Sequence, residues 1–301
     1  MSAIRIHSLT SCTDVNIVPH ARTNIPLTET YSGDEIGRSR FVMNRRGSAA
    51  DAPAATAADK VLGLLGAFPV GGEATLTELA RAANLPKSTA HRLLGALHRH
   101  AFVERSGESG YRLGLGAWQL GQRARPYHAL IHAARPHLDK LTGISGESTF
   151  LTVPEQAYAM CLVATESPSL MRLTLRVGSL VAMPQGASNR ILLAFLPPRQ
   201  RDVVVQRWVE DRADRRALEG DLARVRADGY VLTSSQLTAG TTAIAVPVLD
   251  QKGALIAGLS IGGPTDRFDE TVALGHLDAL RAHADAIAHE VAVSQQLATP
   301  S

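Results

Sequence analysis

Cysteine and aromatic residues are scarce in this 301-residue chain: two cysteines, and Phe, Tyr and Trp together at 4%. Cys12 and Cys161 are far apart, so neither a disulfide framework nor a cysteine zinc cluster is supported, and a reducing compartment follows. The lack of aromatics leaves Ala, Leu, Val and Ile to build the cores, which favours helices. Long apolar runs are missing too. The longest clean one, Ile191–Leu196, is far below the roughly 20 residues that span a bilayer. Nor does the N-terminus carry the apolar core of a signal peptide. Together these absences predict a cytoplasmic protein with no membrane partner. No Gly-x-Ser-x-Gly, Walker or dinucleotide-binding motif occurs, so an enzyme has no visible machinery.

Charge of one sign is also lacking overall. Lys plus Arg number 31 against 28 Asp plus Glu, a formal +3 that neither demands nor forbids nucleic acid. At roughly 100–200 residues per domain the length suggests two folded units. Residues 1–56 show no sustained period and end in the small-residue stretch 47–56, which predicts a disordered tail; Met43 offers a second start within it.

From residue 57 a helical period begins, with Ala58, Val61, Leu62, Leu65 and Phe68 on one face. Thr75-Leu-Thr-Glu78 reads as a capping box opening a second helix. Asn84-Leu85-Pro86 ends it, because Asn tolerates left-handed φ and proline disfavours α geometry in the residue before it. A third helix follows with Ala90, Leu93, Leu94 and Leu97 inward. Phe102–Arg105 and Tyr111–Leu113 flank the turn 106–110 and predict a β-hairpin. Helix, tight turn, helix and hairpin make a winged helix-turn-helix over 57–114.

The surface chemistry agrees. Between Pro86 and His100 lie Lys87, Arg92 and Arg99 and no acid. Ser88, Thr89, His91 and Arg92 crowd the helix start, where a recognition helix enters the major groove, and Arg92 has the fork to read guanine. Lys87 with Arg105, Ser106 and Ser109 of the wing suits phosphates. The expected partner is double-stranded operator DNA.

Leu115 to about Leu141 is mostly helical, with a linker helix over 115–125. Strands are expected at Glu147–Val153, Ala157–Ala164, Met171–Val177, Ala243–Leu249 and Leu255–Ile261. Helices are expected at Ser188–Leu196, Arg199–Val209, Arg215–Asp228 and about Asp269–Ser294. The second half, 126–296, is thus an α+β domain with a sheet covered by helices. His128 and His132 have metal-ligand spacing with His137 nearby, but no third ligand can be assigned, so a polar face and no metal or cofactor are expected. His276 and His283 share a face with Glu290 on the last helix and read as solvated.

Leu76-Thr-Glu-Leu-Ala80, Leu85-Pro-Lys-Ser-Thr89, His91-Arg-Leu-Leu94 and Tyr111-Arg-Leu-Gly114 resemble the winged helix-turn-helix of the IclR family of bacterial transcriptional regulators. The likeness continues at Val177-Gly-Ser179, Ser188-Asn-Arg-Ile-Leu-Leu-Ala194, Asp228-Gly-Tyr230, Ala245-Val-Pro247 and Leu259-Ser-Ile-Gly-Gly-Pro264, covering about 57–295. It implies a GAF-like effector-binding domain. One winged domain offers only a short basic footprint, so a homodimer through the first helix and the Leu115–Leu141 linker is expected, to which the resemblance adds a dimer of dimers. By position it implies effector contacts at Ala187, Ser188, Thr241, Ala243, Ser260 and Gly262.

The stretch 183–190 is a loop running into a helix, whose free amides suit a carboxylate. Some members of the family carry serine where Gly262 stands, cysteine where Ala243 stands and an acid where Thr233 stands. This pocket is therefore less polar than one for very small acids, and a larger or aromatic acid fits better. Repressor and activator stay open, and an enzyme built on the GAF-like domain is the competing class.

Overall fold

Thr56 and Thr75 start the first two helices in the same way. In this computed structural model, which describes residues 56–297 apart from Val70, Thr56 caps α1 (Ala57–Leu65) reciprocally with Asp59, and Thr75 caps α2 (Leu76–Ala82) with Glu78. The Glu78 carboxylate is held below its usual range, chiefly by the Thr75 backbone amide. The predicted tail lies outside the described residues except Thr56, which belongs to the first helix as its cap. Asn84 has φ 53° and Leu85 N–H bonds the Ala80 carbonyl, so the turn before α3 (Lys87–Arg99) is closed as expected.

The wing is β2 (Val103–Ser106) and β3 (Gly110–Leu113). A two-residue strand β1 (Ala74–Thr75), which has too few residues to show a period, adds to β3 at Ala74↔Tyr111. Leu64, Leu79, Leu94 and Val103 are fully buried and tie the three helices to the sheet.

Leu115–Leu141 is not one helix. It divides into α4 (Leu115–Gly121) and α5 (Arg125–Ser145), and the step between them is clasped by His128 Nε2, 3.0 Å from the Gly121 carbonyl. No residue of α4 is buried, and Trp118 is 61% exposed.

The second domain is a six-stranded antiparallel sheet in the order β6-β5-β4-β9-β8-β7. Its strands are β4 (Ser148–Glu155), β5 (Tyr158–Thr165), β6 (Leu180–Ala182), β7 (Val231–Ser234), β8 (Thr241–Leu249) and β9 (Leu255–Pro264). The expected strand at Met171–Val177 does not form. Those residues run as an irregular strap, and the edge positions go to the short β6 and β7, which pair with β5 and β8.

Each strand alternates. Ile244, Val246, Val248, Leu259 and Ile261 face α5 and α10 (Leu277–Leu297), while Ala245 faces α6 (Ala187–Phe195), α7 (Pro198–Trp208) and α8 (Arg212–Asp228). The predicted last helix is broken at His276, with α9 (Glu270–Gly275) before it and the His276 ring stacked on Phe268.

His283 is not solvated. Its Nδ1 lies 2.7 Å from His137 Nδ1, and His137 Nε2 lies 3.1 Å from Glu290, because α5 packs on α10. With both rings neutral the chain closes when His283 donates to His137 and His137 donates to the carboxylate. Burial first, then His137 and Lys140, holds His283 below the ordinary 6.5. An unfolded ring takes up a proton below 6.5 that the folded ring refuses, so stability is full above that value and is lost as pH falls through the folded value. The second domain should therefore melt at lower temperature as the pH drops below 6.5, and His283→Leu should flatten that dependence. An unchanged slope of melting temperature against pH in the variant would contradict this.

Candidate nucleic-acid interface and ligand pocket

The start of α3 has no side-chain cap and no acid in its first turn. Its unpaired amides and Lys87 therefore add positive potential of one sign. Lys87, Ser88, His91 and Arg92 are exposed and Thr89 is half-buried, while Ala90, Leu93, Leu94 and Leu97 anchor the opposite face. His98 Nδ1 lies 2.9 Å from the Val103 carbonyl, fastening the far end of α3 to the wing.

In the wing the Arg105 guanidinium stands over the Tyr111 ring, 4.9 Å from its centre. Ser109 sits exposed in the turn beside Gly107, at φ +55°. Ser106 is engaged: its hydroxyl donates to Glu73, so a phosphate contact there would have to displace a carboxylate that also repels phosphate. The helix residues and Arg105 thus present free donors, and Ser106 does not.

In the second domain, Gly186 enters α6 at φ +80°, a conformation a side chain rarely adopts. That turn aims Ala187 and Ser188 at the sheet. The Ser188 and Ser260 hydroxyls are 2.8 Å apart. Register pairs Ala243 with Gly262, Ala245 with Ser260 and Thr233 with Ala243, all on the α6 side. A Cβ on Gly262 would stand 3.4 Å from the Ala243 methyl.

Thr241 lies on the same face at the strand end, paired with Pro264, but its hydroxyl donates to the Thr238 carbonyl at 2.7 Å. Five of the six expected positions therefore meet around the α6 N-terminus, and the sixth has its hydroxyl spent locally. These residues carry no formal charge, so an anion here meets hydroxyls and helix amides rather than a guanidinium.

Three further residues border this place. Thr233 is 4% exposed, Leu237 approaches Gly186, and Leu173 of the strap lies against Gly262. Leu173 was hidden because Met171, Leu173 and Leu175 alternate as a strand would. Burial pushes the Cys161 thiol up to about 12, so it is not a nucleophile at neutral pH. His128 is tied to the backbone and His137 to α10, which separates the histidines whose spacing suggested a metal; among the described residues no three His, Cys, Asp or Glu side chains are placed to hold one. No helix among them is long and apolar enough to cross a membrane.

A winged helix-turn-helix with a basic recognition helix, followed by a GAF-like domain, defines a DNA-binding regulator with a separate ligand domain. The chain matches the family described as IclR helix-turn-helix domain over residues 57–107 and the one described as bacterial transcriptional regulator IclR C-terminal over 123–289. KdgR, an HTH-type transcriptional regulator of Escherichia coli (strain K12), is 33% identical over 221 residues, covering 70% of this chain and 83% of that protein. BhcR of Paracoccus denitrificans (strain Pd 1222) is 29% identical over 229 residues, covering 74% and 82%. Among solved structures, an IclR homolog of Microbacterium hydrocarbonoxydans complexed with 4-hydroxybenzoate superimposes with TM-score 0.69 at 26% identity, covering 79% of this chain and 100% of that one. The chain belongs to the IclR family of bacterial transcriptional regulators.

If Arg92 reads a base, Arg92→Ala should cost about 1–3 kcal/mol of operator affinity and relax preference at one base pair. A binding-site selection that returns the same sequence preference for the variant would remove Arg92 from base readout.

Proposed function

We propose that the chain is a homodimeric repressor or activator, acting in the cytoplasm, whose operator affinity is set by an aromatic or other apolar carboxylic acid bound at the α6 N-terminus. The observation that carries the ligand reading is the Ser188–Ser260 hydroxyl pair beside the amides of Ala187 and Ser188. It lies on a sheet face where Ala243, Ser260 and Gly262 are small, with Phe150 of β4 beside Ser260. The hydroxyls and amides suit a carboxylate, and the Leu173 side chain that lies against Gly262 bounds the place for a ring. The acid in the Microbacterium relative supports this class of ligand.

Residues 57–114 read DNA: Ser88, Thr89, His91 and Arg92 at base edges, and Lys87, Arg105 and Ser109 at phosphates, with Ser106 only once it leaves Glu73. Residues 115–125 link the domains and 126–296 take the effector. Trp118, Leu115 and Leu120 of α4 stand exposed, and an exposed apolar helix beside the DNA head is the surface that pairs two copies. Two heads then address two half-sites, so the operator should be nearly palindromic. A regulator rather than an enzyme accounts for a site with no acid, base or active nucleophile among its residues.

The effector acts by binding the DNA-competent and incompetent arrangements unequally. A mobility shift on DNA upstream of the chain's own gene, with and without 4-hydroxybenzoate and related acids, should show a ligand-dependent change. Ser188→Ala and Ser260→Ala should each weaken calorimetric binding by about 1.5–3 kcal/mol, the worth of a hydrogen bond to a charged group. Unaltered affinity in both variants would place the ligand elsewhere.

A further inference from the structure

Two neighbouring glycines near the end of β9 are each filled from outside the strand. A Cβ on Gly262 would stand 2.6 Å from Leu173 Cδ2, on the α6 side, and one on Gly263 would land on the Glu147 carboxylate, on the other. Glu147 is 3% exposed, and its charge is answered by Arg267, whose Nη2 lies 3.0 Å from Glu147 Oε2. The same Nη2 donates to the Met171 carbonyl at 2.7 Å.

Met171 and Leu173 belong to the strap between β5 and β6. The strap is pinned at one end by Ser167, whose N–H meets Ser148 Oγ at 3.0 Å and whose hydroxyl meets the Gly146 carbonyl at 2.6 Å. At the other end the Gly178 N–H meets the Cys161 carbonyl at 2.7 Å. Between the pins, Leu173 and Leu175 are half-buried and Cys161 Sγ lies 3.7 Å from the Leu175 carbonyl. Leu170, however, is wholly exposed and Met171 is 69% exposed, so burial of side chains does little to hold the stretch around Met171 down. The hydrogen bond from Arg267 supplies that hold, and Glu147 fixes Arg267.

We infer that Glu147 and Arg267 form a latch that positions Leu173 as the end wall of the ligand pocket, so that Leu173 limits the length of the acid the pocket takes. The part concerning ligand length rests on the acid-binding reading given above; the latch itself does not. The two glycines are the sequence counterpart of the arrangement, one making room for the wall and the other for the anion of the latch.

Replacing Arg267 alone would strand a buried carboxylate. The test is therefore Glu147→Gln with Arg267→Met in the full chain, read by amide hydrogen exchange. Amides of residues 169–176 should exchange at least tenfold faster while those of 259–261 keep their rates. Unchanged strap exchange would overturn the latch.

Leu173→Ala, with the latch intact, should shift the calorimetric preference toward 4-hydroxycinnamate over 4-hydroxybenzoate at least fivefold. An unshifted ratio would overturn the role of Leu173. Failure of every form of the chain to bind either acid would refute the acid reading and the length limit built on it, while the exchange result would still decide the latch.

Discussion

Gly258 leaves no room for a methyl group between β9 and α6: a Cβ there would stand 2.9 Å from Ile191 Cγ2 and 3.3 Å from Leu192 Cδ2. That close seat depends on how the strands divide their residues. Toward α5 and α10 they present Ile, Val and Leu, and toward α6 the central strands β8 and β9 present mainly Gly, Ala, Ser and Thr, with Phe150 of β4 beside Ser260 and Val231 of β7 at the edge. Large side chains on one face hold two long helices. Small ones on the other let α6 descend until its first turn meets the sheet. The proposed ligand site follows from this asymmetry, because the residues of β8 and β9 beside the α6 N-terminus are small and Leu173 and Leu237 come in from the loops to border them. Its polarity follows as well: hydroxyls and amides are what small residues and a helix start can offer.

The DNA-binding head depends on a different economy. Two capping boxes, one left-handed asparagine and a histidine clasp to the wing fix three short helices whose apolar faces are narrow. The recognition helix can then spend its exposed side on cations without an acid to neutralise them. Between head and body, α4 buries nothing of its own, and the step into α5 is held by His128. The start of α4 is held to the head by the Gly116 N–H on the Ala101 carbonyl, and in the proposed dimer its exposed side would be where a ligand that alters pairing alters the spacing of two heads.

The head was legible from the sequence because its signals are local. Thr75 and Glu78 are three residues apart, Asn84 and Pro86 two, and the wing hairpin closes within a dozen residues. The two cores of the second domain were legible in the same way, from alternation along β4, β5, β8 and β9. The failures share a cause too. The strap carries apolar residues at alternate positions but has no strand to pair with, so period alone predicted a strand that does not form. His283 looked solvated because its partner His137 is 146 residues away. Glu147 and Arg267, 120 residues apart, gave no sign of meeting. Of the pocket, Ser188, Ser260, Ala243 and Gly262 came from family resemblance, whereas Leu173 and Leu237 needed the chain's path through its loops.

In the proposed function, a ligand seated between the α6 N-terminus and the sheet face of Ala243, Ser260 and Gly262 controls the DNA-binding head. This is tested most directly by filling that place with protein. Ala243→Phe puts a ring beside Gly262 without touching the head. Operator-binding isotherms recorded with increasing 4-hydroxybenzoate should then show an affinity near that of one end state of the unsubstituted chain, and no response to the acid. A variant that still shifts its operator affinity with the acid as the unsubstituted chain does would contradict the account.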